Sequence, residues 1–324
     1  MSTSMIPRVI GAIAVALACV APAAAQDFPS RTIRAIAATS AGGTSDIFMR
    51  ALGEELQKRW GHGIIVENRP GGNTIIGGRA CAEAPKDGHT ICILPGEVLA
   101  FNRVMYKNLP YDAERDYEPI MGLFFSVSAI VVNSNLGTKT LDELAAYIKA
   151  RPKTLAYMAP SVPLAHFMET FNKQRGTDLV RVPFRGGGET ANAILSGVVP
   201  IAFLGLSNFV AQIQAGSMTA IVVDSTRRSP VVPNVPTLIE LGYPDNPTRA
   251  FFGLVAPKGT PLPIVRKMRD TIAEVMAQPR FRSQHMLDRG LEPMGGTSEE
   301  FAQFLAGYRA AAAQLVKDAG LEPQ

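Results

Sequence analysis

The stretch Ile33 to Arg50, IRAIAATSAGGTSDIFMR, constrains the fold more than any other part of the chain. Ile33 to Ala38 is a short unbroken apolar run, the pattern of a parallel strand covered on both faces. It breaks at Thr39-Ser40-Ala41-Gly42-Gly43, and a helical pattern starts at Thr44-Ser45-Asp46. A strand, a glycine turn and a helix N-terminus together can hold an anion. The first-turn N–H groups lack intrahelical partners, and the positive end of the helix favours a carboxylate or phosphate above them. Glycine turns also join strands to helices in most α/β proteins, so this stretch alone leaves the ligand site and the plain structural turn both open.

The same unit recurs along the chain. The helix predicted from Ser45 to about Arg59 carries Phe48, Leu52 and Leu56 on one stripe, with Trp60 closing it against the first lobe. Ile64 to Val66 is a second strand, ending in Glu67-Asn68-Arg69-Pro70-Gly71-Gly72-Asn73, and Thr90 to Leu94 is a third. Further strands are expected at Val127–Val132, Leu155–Met158, Val180–Phe184, Val198–Leu204, Thr219–Val223 and Phe251–Val255. Thr140-Leu141-Asp142-Glu143 and Thr297-Ser298-Glu299-Glu300 read as capping boxes opening helices. Strands alternating with helices predict an α/β fold with mostly parallel sheets. Glycine turns at residues 39–46, 70–75, 159–166 and 185–190 can then converge outside the carboxyl ends of the strands, where open α/β sheets bind ligands.

The N-terminus has a different purpose. Arg8 is the only charge among the first 25 residues, Val9 to Ala21 is apolar, and Ala23-Ala24-Ala25 precedes Gln26. This is the pattern of a secretory signal peptide, its apolar run too short to span a bilayer. We expect cleavage after Ala25 and a protein exported to the periplasm. Two cysteines survive that step, Cys81 and Cys92. In an oxidising compartment they can form a disulfide or lie as two small buried hydrophobes, and the residues leave both open.

Composition excludes more than it selects. The chain has 32 basic and 28 acidic residues, scattered and without a basic stripe interleaved with aromatics, so no nucleic-acid partner is expected. No G-x-S-x-G elbow surrounds Ser45, and His62, His89, His166 and His285 stand singly without metal-ligand spacing. Asp46 reads as a first-turn residue bracing the loop and His166 as a packed or capping histidine. We therefore expect no enzyme, no metal and no cofactor. A secreted α/β hydrolase using the glycine turns as an oxyanion site is the less favoured alternative.

Four stretches resemble the extracytoplasmic solute receptors of tripartite tricarboxylate transporters, the Bug family. They are Ile33 to Asp46; VENRPGG (Val66 to Gly72) with APKDGHT (Ala84 to Thr90); VPFRGGG (Val182 to Gly188) with LSG (Leu195 to Gly197); and the run from Arg227 through Val235-Pro236-Thr237 to GLVAPKGTP (Gly253 to Pro261). The resemblance covers essentially the whole mature chain. It implies a two-lobed, type II-like Venus flytrap, with residues 26–125 and 247–324 in lobe one and 126–246 in lobe two. It also implies an organic carboxylate ligand, di-, tricarboxylate or aromatic, and membrane permease subunits as partners of a monomer. A sensing subunit docking on a membrane kinase needs the same flytrap and remains the alternative.

Carried over residue by residue, Thr39, Ser40, Ala41, Gly42, Gly43, Thr44, Ser45 and Asp46 form the pinning loop, and Asn73 and Thr74 line the same lobe. Ser161, His166, Arg185, Gly186, Gly187 and Gly188 face them from lobe two. Arg185 can meet a second ligand carboxylate in bidentate fashion or be solvated or paired within lobe two. This chain departs from the family pattern at Ala38-Thr39, where Pro-Phe is usual, at Thr44, where Gly is usual, and at Pro200, where an acid is usual. Its Ser161 turn is shorter and more apolar, which suits an aromatic or aliphatic tail.

Overall fold

The computed structural model describes residues 28–182 and 187–324. Eleven strands make two sheets. In chain order they are β1 (Ile33–Ala37), β2 (Ile64–Asn68), β3 (Thr90–Pro95), β4 (Tyr117–Ser126), β5 (Ser128–Asn133), β6 (Ala156–Met158), β7 (Val180–Arg181), β8 (Ile201–Gly205), β9 (Met218–Asp224), β10 (Phe251–Pro257) and β11 (Leu291–Gly295). The first sheet runs β11-β4-β10-β3-β1-β2 and the second β7-β6-β8-β5-β9. The chain leaves the first sheet after Ser126 and rejoins it at Phe251, so the second sheet is an insertion between two strands of the first.

The sheets are mixed, which corrects the expectation of mostly parallel ones. β1 pairs in parallel with β2 and β3, while β10 and β11 enter antiparallel beside β3 and β4. In the second sheet β6 is parallel to β7 and β8, and β5 runs antiparallel to β8 and β9. β4, β5, β9 and β10, which flank the two crossings between the sheets, all take antiparallel partners, whereas β11 pairs antiparallel with β4 after the chain has already returned. A strand arriving from the other lobe enters without the crossover helix that parallel pairing requires.

Ten helices cover the sheets among the described residues: α1 (Thr44–Trp60), α2 (Ile75–Ala82), α3 (Asn102–Met105), α4 (Leu141–Lys149), α5 (Val162–Arg175), α6 (Gly187–Leu195), α7 (Val210–Gln214), α8 (Leu262–Ala277), α9 (Pro279–His285) and α10 (Ser298–Asp318). Period-2 alternation explains how one apolar run serves two cores. Ile33, Ala35 and Ala37 of β1 pack with Phe48 and Leu52 of α1, whereas Ile36 joins the opposite core with Leu99, Phe251 and Tyr308. In β5, Ile130 and Val132 face one core of the second sheet and Ala129 and Val131 the other. The Thr297 capping box forms as expected, with Thr297 Oγ1 accepting from Glu300 N–H and the Glu300 carboxylate accepting from Thr297 N–H. Trp60 ends α1 edge-on to Phe28, ring centroids 6.3 Å apart. Cys81 and Cys92 are bonded, their Cα atoms 6.1 Å apart, tying α2 to β3.

Candidate ligand-binding cleft

β1, β2 and β3 are parallel neighbours, so the turns after them emerge on one edge of the first sheet. The turn after β1 is organised by Asp46, only 4% exposed. One carboxylate oxygen accepts from Gly42 N–H at 2.9 Å and the other from Arg50 Nη2 at 2.8 Å. Burial pushes this carboxyl's pKa upward, but Arg50, the Gly42 N–H and Asn68 outweigh it and hold Asp46 below its ordinary range. Asn68 Nδ2 also donates to Thr39 O at 3.0 Å, and Ser45, fully buried, bonds its hydroxyl to Thr39 Oγ1. Ser45 and Asp46 thus spend their side chains inside the loop.

What the loop presents outward is backbone. Gly43 N–H turns back to Ser40 O at 3.1 Å, and Ile47 N–H is the first to close a helical bond, to Gly43 O at 3.0 Å. Among the described residues the N–H groups of Thr44, Ser45 and Asp46 are the unpaired donors of α1. Gly42 sits at φ 76°, a left-handed conformation that favours glycine, while Ser40, Ala41 and Gly42 are exposed.

The turn after β2 brings in a second element. Asn73 (φ 49°) and Thr74 (φ 67°) are both left-handed, which for a β-branched threonine is strained. Asn102, fully buried, holds them there: its Nδ2 donates to Asn73 O at 3.1 Å and its Oδ1 accepts from Asn73 Nδ2 at 3.2 Å. Asn102 Nδ2 also donates to Tyr111 Oη at 3.0 Å. Sequence reading singled out Asn73-Thr74 but not Asn102, whose polar side chain inside the apolar run VLAFNRVM was the available signal.

The second sheet contributes the opposite wall. Thr44 Oγ1 and Ser207 Oγ are 2.9 Å apart, a hydrogen bond between lobes. Val162, at the start of α5, packs against the core of the first sheet that contains Ile36 and Leu99. Ser161 precedes α5 in extended backbone and its hydroxyl makes no capping bond. Pro163 removes one N–H from the same turn. His166 lies on the second turn of α5, partly buried. Gly187 and Gly188 open α6, while Arg185 and Gly186 lie outside the described residues. Ser207 and Asn208, in the turn after β8, went unnoticed in the sequence, although Gly205-Leu206-Ser207-Asn208 after a buried strand follows the same rule as the others. Together with Gly42, Thr44, His285 and Arg289 they line a cavity of about 210 Å³ between the lobes.

Among the described residues no group of three or more His, Cys, Asp or Glu converges as a metal site would, and no helix is long and apolar enough to cross a membrane. Two α/β lobes joined by two crossings, with helix N-termini and small polar turns meeting between them, define a solute-binding protein of the periplasmic type. The chain belongs to the tripartite tricarboxylate transporter receptor family, whose model matches residues 48–321. This is a family of substrate-binding receptors and not of enzymes. Its fold superposes on that of an R. palustris protein solved with adipate (TM-score 0.84, 25% identity, 92% of this chain and 100% of that one). It is also similar to the periplasmic binding protein BugD (0.81, 27%, 92% and 100%). MatC from Rhodopseudomonas palustris, with bound malate, matches at 0.78 and 26% over 89% and 100% of the two chains.

Proposed function

We propose that this chain is a periplasmic receptor that captures an organic carboxylate between its lobes and hands it, unchanged, to the membrane subunits of a tripartite tricarboxylate-type permease. One observation carries the reading: the N–H groups of Thr44, Ser45 and Asp46, without partners among the described residues, start α1 beside a cavity between the lobes lined by Thr44, Ser207, Asn208 and Arg289. A carboxylate there gains charge-assisted hydrogen bonds and the positive helix end. Adipate and malate in the related structures are both carboxylates, which supports the class. In this reading residues 26–125 and 247–324 form lobe one, 126–246 form lobe two, and Thr39 to Asp46 with Asn73 and Thr74 bind from the first. Ser161, His166 and Arg185 to Gly188 bind from the second. Residues 1–25 are the signal peptide and the mature protein works as a monomer.

A thermal-shift screen of the mature chain against aliphatic, hydroxylated and aromatic carboxylates tests this. At least one acid should raise the melting temperature in a concentration-dependent way and be recovered chemically intact. If no carboxylate stabilises the protein, or the acid returns transformed at a catalytic rate, the receptor reading is wrong.

A further inference from the structure

The turn after β3 differs from those after β1 and β2. It opens with a π-helical turn, Glu97–Phe101, a local geometry that recurs at functional sites. Val98, Leu99, Ala100 and Phe101 are buried, and Glu97 alone keeps part of its surface. Because β3 lies beside β1 in parallel, Glu97 emerges on the same sheet edge as the Thr39–Asp46 loop. The guanidinium against this turn, Arg309, donates to Leu99 O at 2.9 Å and Ala113 O at 3.2 Å and faces Glu114, not Glu97. Tyr111 Oη accepts from Asn102 Nδ2 in the clamp on Asn73, and Tyr308 Oη donates to Thr248 O at 3.1 Å in the hinge, the segment from Asp224 to Phe251 that returns the chain to the first sheet. Glu97 O accepts from Asn102 N–H, and a Cβ on Gly96 would meet Tyr308 Oη and Phe251, so this turn lies between the Asn73 clamp and the hinge. Among the described residues no cation pairs with it and only its own backbone N–H serves it as a donor, while burial raises its pKa.

We infer that Glu97 stands on the lobe-one wall of the cleft and selects organic acids whose second polar group is a hydrogen-bond donor, a hydroxyl or an ammonium, over acids that end in a second ionised carboxylate. The inference rests on the carboxylate reading of the cleft and narrows its ligand class. A half-buried carboxylate without protein donors is left wanting them, and a ligand hydroxyl or ammonium supplies one on closure. A second ligand carboxylate brings a like charge into the same desolvated space and raises the cost. Among the described residues no cation compensates, since Arg309, which lies against the same turn, is committed to Leu99 O, Ala113 O and Glu114. The neighbours' adipate and malate then differ in an informative way, because only malate carries a hydroxyl.

Calorimetric titration with matched acids tests the inference. Succinate, 4-hydroxybutanoate and 4-aminobutanoate form one series; adipate, 6-hydroxyhexanoate and 6-aminohexanoate form another. Within the series that fits the cleft, the wild-type chain should bind a donor-ended acid at least tenfold more tightly than the diacid. E97Q keeps the shape and a carbonyl acceptor but removes the charge, and should reduce that ratio tenfold or more. The wild-type ranking needs no variant, so a poorly folding E97Q does not protect the idea. If the wild type prefers the diacid, or the ranking is the same in E97Q, Glu97 is no selector and the inference falls while the receptor reading stands. If no acid of either series binds and the wider carboxylate screen is also empty, the receptor reading falls and takes this inference with it.

Discussion

The cleft loop and the hinge each bury an aspartate, and they shift its pKa in opposite directions. Asp46 in the loop and Asp224 at the end of β9 are almost equally covered, 4% and 5% exposed. Asp46 has Arg50, the Gly42 N–H and Asn68 arranged around it and is held below its ordinary pKa. Asp224 is raised to about 6, first by burial. Its one hydrogen bond comes from Asn246 Nδ2 at 3.0 Å. The Arg249 guanidinium, which favours its charge, donates to Glu292 at 3.1 Å, and Glu292 adds its own repulsion. Burial sets the cost of a charge in both places; the supply of donors decides whether that cost is met. The loop is thereby a preorganised element, and the hinge a region where electrostatic strain is stored.

The sharpest way to break this comparison is to remove the better-served carboxylate. D46A leaves the Gly42 N–H unpaired and frees the loop, and should lower stability by about 3 kcal/mol. Ligand affinity should fall further than stability alone explains, because the α1 donors lose their fixed positions. Urea unfolding and calorimetric titration of the same preparation measure both. An unchanged affinity in a folded D46A would show that the loop is not the pinning element.

Asp224 gives the opposite result. Its folded pKa of about 6 lies above the ordinary value of 3.8, so the folded state holds a proton that the unfolded chain has released between those two values. Stability attributable to this group therefore falls as pH rises from about 4 to about 6 and stays lower above that, by at most about 3 kcal/mol. D224N, which keeps an acceptor for Asn246, should be more stable than the wild type at pH 7.5 and nearly equal to it at pH 4. Melting curves at both values decide this; a variant less stable at pH 7.5 contradicts the strained-hinge account.

A smaller effect sharpens the link between the two regions. The Thr44–Ser207 bond joins the loop to lobe two, and T44V or S207A should each weaken ligand binding by about fivefold, roughly 1 kcal/mol. The double variant should be little worse than either single one, because both remove the same bond. Full additivity in calorimetric titrations would mean that the two hydroxyls act separately.

How much of this was legible beforehand follows from sequence separation. The turn at Thr39–Asp46, the Thr297 capping box and the Phe48-Leu52-Leu56 stripe rest on contacts within a few residues, and the sequence displays them. Asn73-Thr74 was legible as a turn, but the strain in it was not, since the clamp from Asn102 lies 29 residues away. Ser207 meets Thr44 across 163 residues, and no local pattern announces it. The antiparallel entry of β10 and β11 was hidden for the same reason. The apolar run of β10 resembles that of a parallel strand, and its direction is decided by where the chain returns from the second lobe, while β11, Leu291-Glu292-Pro293-Met294-Gly295, has no apolar run to announce a strand.

The central claim is that a ligand carboxylate is held by the backbone at the start of α1. Amide nitrogen–proton correlation spectra of the isotopically labelled mature chain, recorded while titrating the acid that most raises its melting temperature, test it directly. The account predicts large, saturating shifts of the Thr44, Ser45 and Asp46 amides, with the proton resonances moving downfield as they gain an anionic acceptor. Saturable binding that leaves those three amides unmoved would contradict it.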